Sequence, residues 1–409
     1  MIDRTAQDAP DTLTADVVVV GGGPVGLTVA VAVAGAGIDT ILLAPASPAD
    51  NRTTALLAGS VAALDGLKVW PRCHDQAAPL KAIRIIDDRG GLLRAPEVTF
   101  HADEIELDAF GHNIENRHLL AGLEACAAEL PALRIRRAAV TEVTPSTASV
   151  TLHVAGKARV TAGLAVGADG RNSLCRAAAA IDADHWTYAQ TALTCNLDLG
   201  RAHENISTEF HTAAGPFTLV PLPGLRASLV WVMQPDDARR RAGLGDAELS
   251  WEIERQSHSI LGKVTVTSDR GLFPLAGLTA RGFAANRIAL VGEAAHVIPP
   301  IGAQGFNLGL RDAATIGELV VGAFRAGADV GSDTVLKQYD DRRRADIASR
   351  ALAVDLLNRS LLTDFLPLQG LRGLGLHLLE RIGPLRRAMM REGVAPKMNE
   401  PQLMRGEPL

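Results

Sequence analysis

Two regimes of hydrophobic patterning divide the chain. From Asp16 to about Trp70, and again from Gly111 to Ala180, short β-branched runs give way to longer apolar stretches of helical character. That succession marks a doubly wound α/β fold. Asp16 to Val20 reads as a buried parallel strand, Leu27 to Ala36 as a helix, and Thr40 to Leu43 as the next strand. Between residues 184 and 275 the pattern turns to β-type runs: Leu193 to Leu199, Ser207 to His211, Phe217 to Pro221 and Ala227 to Met233. Turns such as Leu222-Pro223-Gly224 separate some of them, as in an antiparallel sheet. The segment from Pro79 to Phe100 is expected to join that sheet. The α/β pattern resumes with the apolar run Ile288 to Val291, and a helix is expected from about Phe306. From Asp355 to Lys397 leucines recur at helical spacing beside Arg372, Arg381, Arg386, Arg387 and Arg391, interrupted by glycines and prolines. Packing on its own domain or on a second copy, and contact with a membrane surface, both fit such a tail.

The junctions between these elements carry the candidate chemistry. Gly21, Gly23 and Gly26 follow the first strand at GxGxxG spacing. The first permits a tight turn, the second lets a pyrophosphate approach the backbone, and the third lets helix pack on strand. Alone this is a weak signal; between a strand and a helix it predicts a dinucleotide site. The acidic residue that would grip the adenosine ribose is missing from the end of the second strand, where Ala44 and Pro45 stand. Asp39 falls too early, which leaves Asp50 or Asn51 as substitutes, or a weaker hold on the adenosine. In GADGRNSLCR, Gly167 to Arg176, Asp169 and Gly170 can form a turn with Ser173 near a helix start. An ordinary strand-turn-helix fits that string equally well. The stretch IALVGEAAHVIPPIGAQGFNLGLRD, residues 288 to 312, places Gly292 and Glu293 at the C-terminal edge of a strand, where open α/β sheets bind ligands. Pro299, Pro300, Gly302 and Gly305 then hold an extended turn. The helix after it offers unpaired N–H groups and a positive dipole end, suited to a ligand that becomes negatively charged.

These three strings, in this order, resemble the motifs of the class A flavoprotein aromatic hydroxylases, with the ubiquinone-biosynthesis hydroxylases among them. DNRTTALL around Arg52, SVAALDGLKVW (Ser60 to Trp70) and IENRHLLAGL with Asn116 and Arg117 extend the resemblance over nearly the whole chain. It implies an α/β, doubly wound, Rossmann-like FAD-binding domain made of residues 14–78, 105–183 and 276–330. An inserted antiparallel substrate sheet would comprise 79–104 and 184–275, and a C-terminal helical region 331–409. The implied chemistry is that of a monooxygenase: NAD(P)H reduces FAD, oxygen forms a C4a-hydroperoxide, and its distal oxygen goes to an electron-rich ring. The resemblance assigns FAD contacts to Gly21, Gly23, Gly26, Arg52, Arg117, Asp169, Gly170, Glu293, Pro300, Gly302, Gly305 and Asn307. Glu293 replaces the usual Asp and reaches one methylene further. No catalytic residue is fixed; Arg52, His211 and Pro299 are the candidates, with His211 able to orient a phenol. His296 is expected to be structural, bonding backbone in the turn.

The implied substrates are a polyprenylated phenol and oxygen, with 2-polyprenyl-6-methoxyphenol the expected phenol. A membrane-surface contact, a ubiquinone-biosynthesis protein assembly and a homodimer are partners compatible with this reading. Alternatives are a soluble hydroxylase of a small phenol, a flavin-dependent isoprenoid reductase, and a non-catalytic scaffold in view of Ala44 and Glu293.

Composition narrows the field. A chain of 409 residues can bury a large core across about two domains. A net charge of −5 and only 4% aromatic residues argue against nucleic acid as a partner. Cys73, Cys126, Cys175 and Cys195 lack CxxC spacing, which suits reduced thiols in a cytoplasmic protein, peripheral on the inner membrane if the tail binds there. No His/Cys cluster has metal-ligand spacing. Met1 to Thr14 is polar, unlike a signal peptide. Val17 to Ile38 carries no charge, yet its glycines, proline and strand-then-helix break argue against a membrane span.

Overall fold

The computed structural model describes residues 12–46, 50, 52–90, 96–156, 158–299, 303–362, 383–394 and 400–409. Strand β1 (Thr12–Val20) lies at the centre of the first sheet, with Val17 to Val20 fully enclosed. It pairs in parallel with β2 (Thr40–Leu43) on one side and β11 (Ala158–Gly167) on the other. Beyond these lie β8 (Leu133–Arg136) and β19 (Ile288–Leu290), also parallel. A small strand β18 (Ala284–Ala285) closes one edge, and the hairpin of β9 (Val140–Pro145) and β10 (Val150–Val154) adds antiparallel strands to β11. Helix α1 (Pro24–Gly35) is buried from Gly26 to Ala34, so it is apolar all round because it has no solvent face. The uncharged run from Val17 to Ile38 is thus a strand, a glycine turn and an interior helix. Among the described residues no helix is long and apolar enough to cross a membrane.

A second sheet has nine strands. Its order is β20 (His296–Val297), β17 (Gly271–Ala280), β12 (Ala183–Leu199), β15 (Arg226–Met233), β14 (Gly215–Leu222), β13 (Ile206–Thr212), β5 (Ala82–Asp87) and β6 (Val98–His101), with β16 (Val264–Val266) beside β12. All pairs are antiparallel except β13 with β5. Strand β12 begins ten residues before the run Leu193 to Leu199, because an irregular step between Thr187 and Thr191 carries it along β17. Helices α5 (Pro235–Ala242) and α6 (Asp246–Gln256), which strand patterning did not foresee, cover one face through Ala238, Leu249 and Ile253. A third sheet is made of β3 (Thr53–Leu57), which leads into α2 (Ala58–Gly66), β4 (Ala77–Pro79), and β7 (Gly111–Glu115), which leads into α3 (Asn116–Ala128). From its end the buried Glu115 accepts hydrogen bonds from Asn196 on β12 and Arg226 on β15, tying this small sheet to the large one.

Helices α7 (Gln304–Arg325) and α8 (Asp333–Leu362) close the back of the first sheet around a buried ion cluster. Asp312 accepts from His296 Nε2 at 2.7 Å, from Arg343 Nε at 2.7 Å and from the Gly292 N–H at 2.9 Å. His296 and Asp312 have fully enclosed side chains. Tyr339 donates to the Leu290 carbonyl from α8, while Asp346 accepts from both Arg311 and Arg343. The His296 partner is therefore a carboxylate and not the backbone expected from sequence. An α-helix starting at residue 304 brings Asp312 under the loop, where a carboxylate is the stronger acceptor.

The described parts of the tail pack on their own chain. Helix α9 (Gly383–Val394) sets Arg386 against Glu104, the Thr99 carbonyl and the Phe100 ring, and buries Met390 with Ala102, Ile105 and Phe110. Leu403 and Met404 are buried with Ala32, Ala63 and Ala314. Arg372, Arg381, Leu374 and Leu378 lie outside the described residues.

Removing the Asp312 anion leaves Arg343 charged in the interior. Asp312→Ala is expected to lower stability by about 3–5 kcal/mol in urea unfolding. Burial pushes the Asp312 carboxyl up, but His296, Arg343 and the Gly292 N–H outweigh it and hold it below its ordinary value. Its contribution is then complete above the unfolded carboxylate value of about 3.9 and lost as pH falls through the lower folded value. The stability gap between wild type and Asp312→Ala should hold from neutrality to about pH 4 and shrink below it. A gap that closes at a higher pH would show that the cluster is wetter than its burial indicates.

Candidate active site

The turn between β1 and α1 forms a cradle whose three glycines are required for different reasons. Gly21 has φ +116, and a Cβ there would overlap the Ala168 carbonyl. At Gly26 a Cβ would overlap the Gly21 carbonyl, so only glycine lets α1 approach the strand. Gly23 is different: a Cβ added there meets no protein atom within 4 Å. Gly23 is the N-cap of α1, has no side-chain cap and is followed by no acidic residue in the first turn. A glycine with room around it, at an uncapped helix N-terminus, fits a phosphate-bearing ligand that must come close to the backbone.

The loop after β11 forms the next wall. Ala168 donates to the Val20 carbonyl, setting Asp169 and Gly170 beside Gly21. Asp169 accepts from Ser173 Oγ at 2.5 Å and from the Cys175 N–H at 3.1 Å, holding the start of α4 (Leu174–Ala178). Gly170 takes φ +78 with open space around it. Arg171 bridges to Glu293 at 3.3 Å, and Arg176 donates to the Ala294 carbonyl, so this loop and the Gly292–Ala294 turn are linked. Both members of the Arg171–Glu293 pair are half exposed, which leaves the carboxylate reachable by a ligand.

Arg52 forms a two-pronged pair with Asp50 and lies 5.2 Å from the centre of the Phe273 ring on β17. Asp50 also accepts from Asn116 at 2.8 Å. Burial pushes the Asp50 carboxyl up, and the bonds from Arg52 and Asn116 more than reverse it. Both Asp50 oxygens are thus engaged by protein groups, and Asn51 lies outside the described residues. Arg117 pairs with the buried Glu115 at 3.1 Å. Asn307 uses its whole amide on the protein: Oδ1 accepts from the Leu57 N–H and Ser60 Oγ, and Nδ2 donates to the Ala55 and Ala303 carbonyls. It thereby anchors Ala303, the N-cap of α7, a non-glycine residue held at φ 55. Helix α7 begins at Gln304, two residues earlier than expected, with Gly305 in its first turn and no acidic residue there. Pro299 is buried two residues beyond β20, the strand that pairs with β17. Pro300 and Gly302 lie outside the described residues.

The large sheet turns its helix-free face to this site. Ser228 on that face accepts from Thr53 and from Asn113. Strand register sets Phe273, Ala192 and Val232 side by side, and Pro216, His211 and Asp87 side by side. Pro216 stands opposite Val232, one step beyond the Phe217–Trp231 pair. One end of this row is apolar, where Ala192, Val232 and Leu275 cluster with Tyr188, Val230 and Phe273. Its other end is polar, with His211 Nε2 2.7 Å from Glu209 and Arg89 3.0 Å from Asp87. Four strand steps of about 4.8 Å separate Phe273 from His211 along the sheet, roughly 19 Å. Arg52 and His211 therefore do not touch one small ring together.

Glu209, Asp312 and Arg343 were not foreseen. Asp312 had a signal: it is a lone carboxylate among Leu308, Leu310, Ala313, Ala314 and Ile316, on helix positions that are all buried. Among the described residues no group of His, Cys, Asp or Glu is arranged to hold a metal.

The family model described as FAD binding domain matches residues 14–354. "Ubiquinone hydroxylase UbiL" of Rhodospirillum rubrum is 33% identical over 97% of this chain and 94% of its own length. "3-demethoxyubiquinol 3-hydroxylase" of Escherichia coli is 32% identical over 92% of this chain and 97% of its own. The fold is also that of p-nitrophenol 4-monooxygenase PnpA from Pseudomonas putida, with TM-score 0.77 at 20% identity over 93% and 98% of the two chains. This is an FAD-dependent monooxygenase of the aromatic hydroxylase class, which takes its electrons from NAD(P)H. Within that class the chain belongs to the family of the ubiquinone-biosynthesis hydroxylases.

Because the Gly23 site has room, Gly23→Val should fold normally and yet lose FAD, while Gly26→Ala should lose the fold as well. Flavin absorbance per protein and thermal unfolding of the apoprotein separate the two. Full flavin content in Gly23→Val would move the pyrophosphate elsewhere.

Proposed function

We propose that this protein hydroxylates a polyprenylated phenol of ubiquinone biosynthesis, with 2-polyprenyl-6-methoxyphenol as the substrate, using FAD, NAD(P)H and oxygen. The observation that carries this reading is the end-to-end likeness to "Ubiquinone hydroxylase UbiL". The sheet face supports it, since the apolar cluster of Ala192, Val232 and Leu275 with Phe273 beside Arg52 suits a hydrophobic ligand.

In this reading Gly21, Gly23 and Gly26, with the first N–H groups of α1, receive the FAD pyrophosphate. Asp169 and Gly170 shape the wall beside it. Glu293, steadied by Arg171, accepts from the ribityl hydroxyls. Gly305 and the start of α7 face the ring, held in place by Asn307. Arg52 and Arg117 contribute positive charge at the cofactor's edge, and Pro299 stiffens the wall between ring and substrate. Bound FAD supplies the electron transfer and oxygen activation; the protein orients the phenol and keeps water out.

Quinone profiling of a host strain lacking this gene tests the reading. Accumulation of 2-polyprenyl-6-methoxyphenol is expected, with restoration by the gene in trans. Accumulation of a demethoxyubiquinol instead would assign the step named for the Escherichia coli relative. Unchanged quinones would overturn the pathway assignment. Turnover of the purified protein should require oxygen; anaerobic product formation with reduced flavin would favour an isoprenoid reductase.

A further inference from the structure

A polar group interrupts the apolar end of the sheet face. Gln190 on β12 is 1% exposed, and its Nε2 donates to the Ala214 carbonyl at 2.9 Å. A carbonyl can only accept, so that bond settles which end of the amide is nitrogen and which is oxygen. The remaining end, Oε1, is buried and has no hydrogen-bond partner among the described residues. The turn that receives Nε2 is itself held, with Thr212 Oγ1 donating to the Gly215 carbonyl and accepting from the Ala214 N–H. The side chain is thus tethered and cannot swing away to find another donor. An orphaned acceptor in a dry site is costly unless a donor arrives with a bound molecule.

The strand carries this amide to the part of the sheet that faces the cofactor. Two residues along β12 stands Ala192, opposite Phe273, whose ring centre is 5.2 Å from the Arg52 guanidinium. In the other direction Trp186 pairs with Gly277, next to Leu278, which pairs with Val297 just before Pro299. Gln190 therefore stands between these two segments, about 7 Å along the strand from Ala192. A Cβ on Gly215 would meet Gln190 Nε2 and Val232 Cγ1, each at 2.9 Å, so the amide lies against the Val232 side chain. Val232 clusters with Ala192 and Leu275, and Phe273 packs on them. An apolar wall with an unmatched, immobilised acceptor has the form of a small-molecule site.

We infer that Gln190 Oε1 accepts the hydrogen bond of the substrate's ring hydroxyl and thereby fixes which edge of the ring faces the flavin. This rests on the phenol-hydroxylase reading above. A prenylated methoxyphenol carries a single hydrogen-bond donor, its hydroxyl; the methoxy oxygen can only accept, and the tail can do neither. This face offers Oε1 unpaired. Joining the two satisfies the buried acceptor and pins the ring at one point against the Val232 and Ala192 side chains. Rotation about that point is limited by the apolar wall, so one ring carbon is presented for attack. Gln190 is then a specificity-determining residue, which selects rings that bear a donor and narrows the position that reacts.

The test uses the FAD-loaded enzyme with a monoprenyl 2-methoxyphenol and with the same ring carrying hydrogen in place of the hydroxyl. Binding is followed by the perturbation of flavin absorbance. Wild type is expected to bind the phenol about tenfold or more tightly than the ring without the hydroxyl. Gln190→Met keeps the length of the side chain without its acceptor, and should bring the two affinities within about threefold by weakening the phenol. In turnover the variant should raise KM for the phenol about tenfold with a smaller change in kcat. It should also release more hydrogen peroxide per NAD(P)H and yield a mixture of ring positions. Flavin content and circular dichroism show that the variant is folded. Equal preference for the phenol in wild type and Gln190→Met overturns the proposal while leaving the functional reading intact. Should the variant lose its flavin, wild type alone decides: equal affinity for the two rings overturns the proposal, and a tenfold preference upholds it. A wild type that neither binds nor hydroxylates the phenol overturns the functional reading as well.

Discussion

Asp312 carries a carboxylate into a part of the molecule where no solvent can share its charge. That constraint organises everything near it. To be tolerated, the anion must be met by Arg343 from α8, by His296 at the start of β20 and by the N–H of Gly292. Each partner sits on a different segment, so satisfying one group fixes the relative position of three. The Gly292–Ala294 turn cannot move without stranding a buried donor, and Glu293 on that turn is consequently presented at a defined place. On the outside the Arg171–Glu293 pair and the Arg176–Ala294 bond hold the same turn to the loop after β11. A tight interior and a half-exposed rim together make a site that is rigid where it bears on the fold and open where a ligand enters.

The glycine cradle follows the same logic with sterics in place of charge. Gly21 and Gly26 are glycines because protein atoms stand where a side chain would be; Gly23 is one although nothing stands there. The distinction separates residues needed to build the turn from one that the packing of the turn does not require.

Much of this was legible in the chain. The β-branched run before the glycines, the change to strand patterning after residue 184 and the strings around Asp169 and Glu293 give the α/β fold, its inserted sheet and its cofactor. What escaped has a common cause. Arg343 meets Asp312 across 31 positions and Glu115 meets Asn196 across 81, distances at which periodicity carries no information. The pairing of His211 with Glu209 is local, yet its meaning depends on which sheet face is covered by α5 and α6, helices that strand patterning hides. Asn307 was legible as part of a motif, but not as an amide fully engaged with protein. The missing acid at Ala44 stands in the sequence itself, whereas the engagement of Asp50 by Arg52 and Asn116 is seen only in the fold.

The parallel sheet is assembled from chain segments far apart in order of synthesis. Val20 and Gly167 neighbour each other, and Gly167 in turn pairs with Leu290. Between β11 and β19 the ribosome must produce almost the whole of the large antiparallel sheet. Long-range parallel pairings of this kind close slowly, because the loop entropy is met before the contacts that repay it. The edge of β11 that β19 will occupy therefore stays unpaired through much of translation, and the helix after the glycine turn waits for α7 to pack against it. Cofactor loading is in this sense a late checkpoint: the cradle between the first strand and α7 is complete only once the segment through Gln304–Arg325 has emerged.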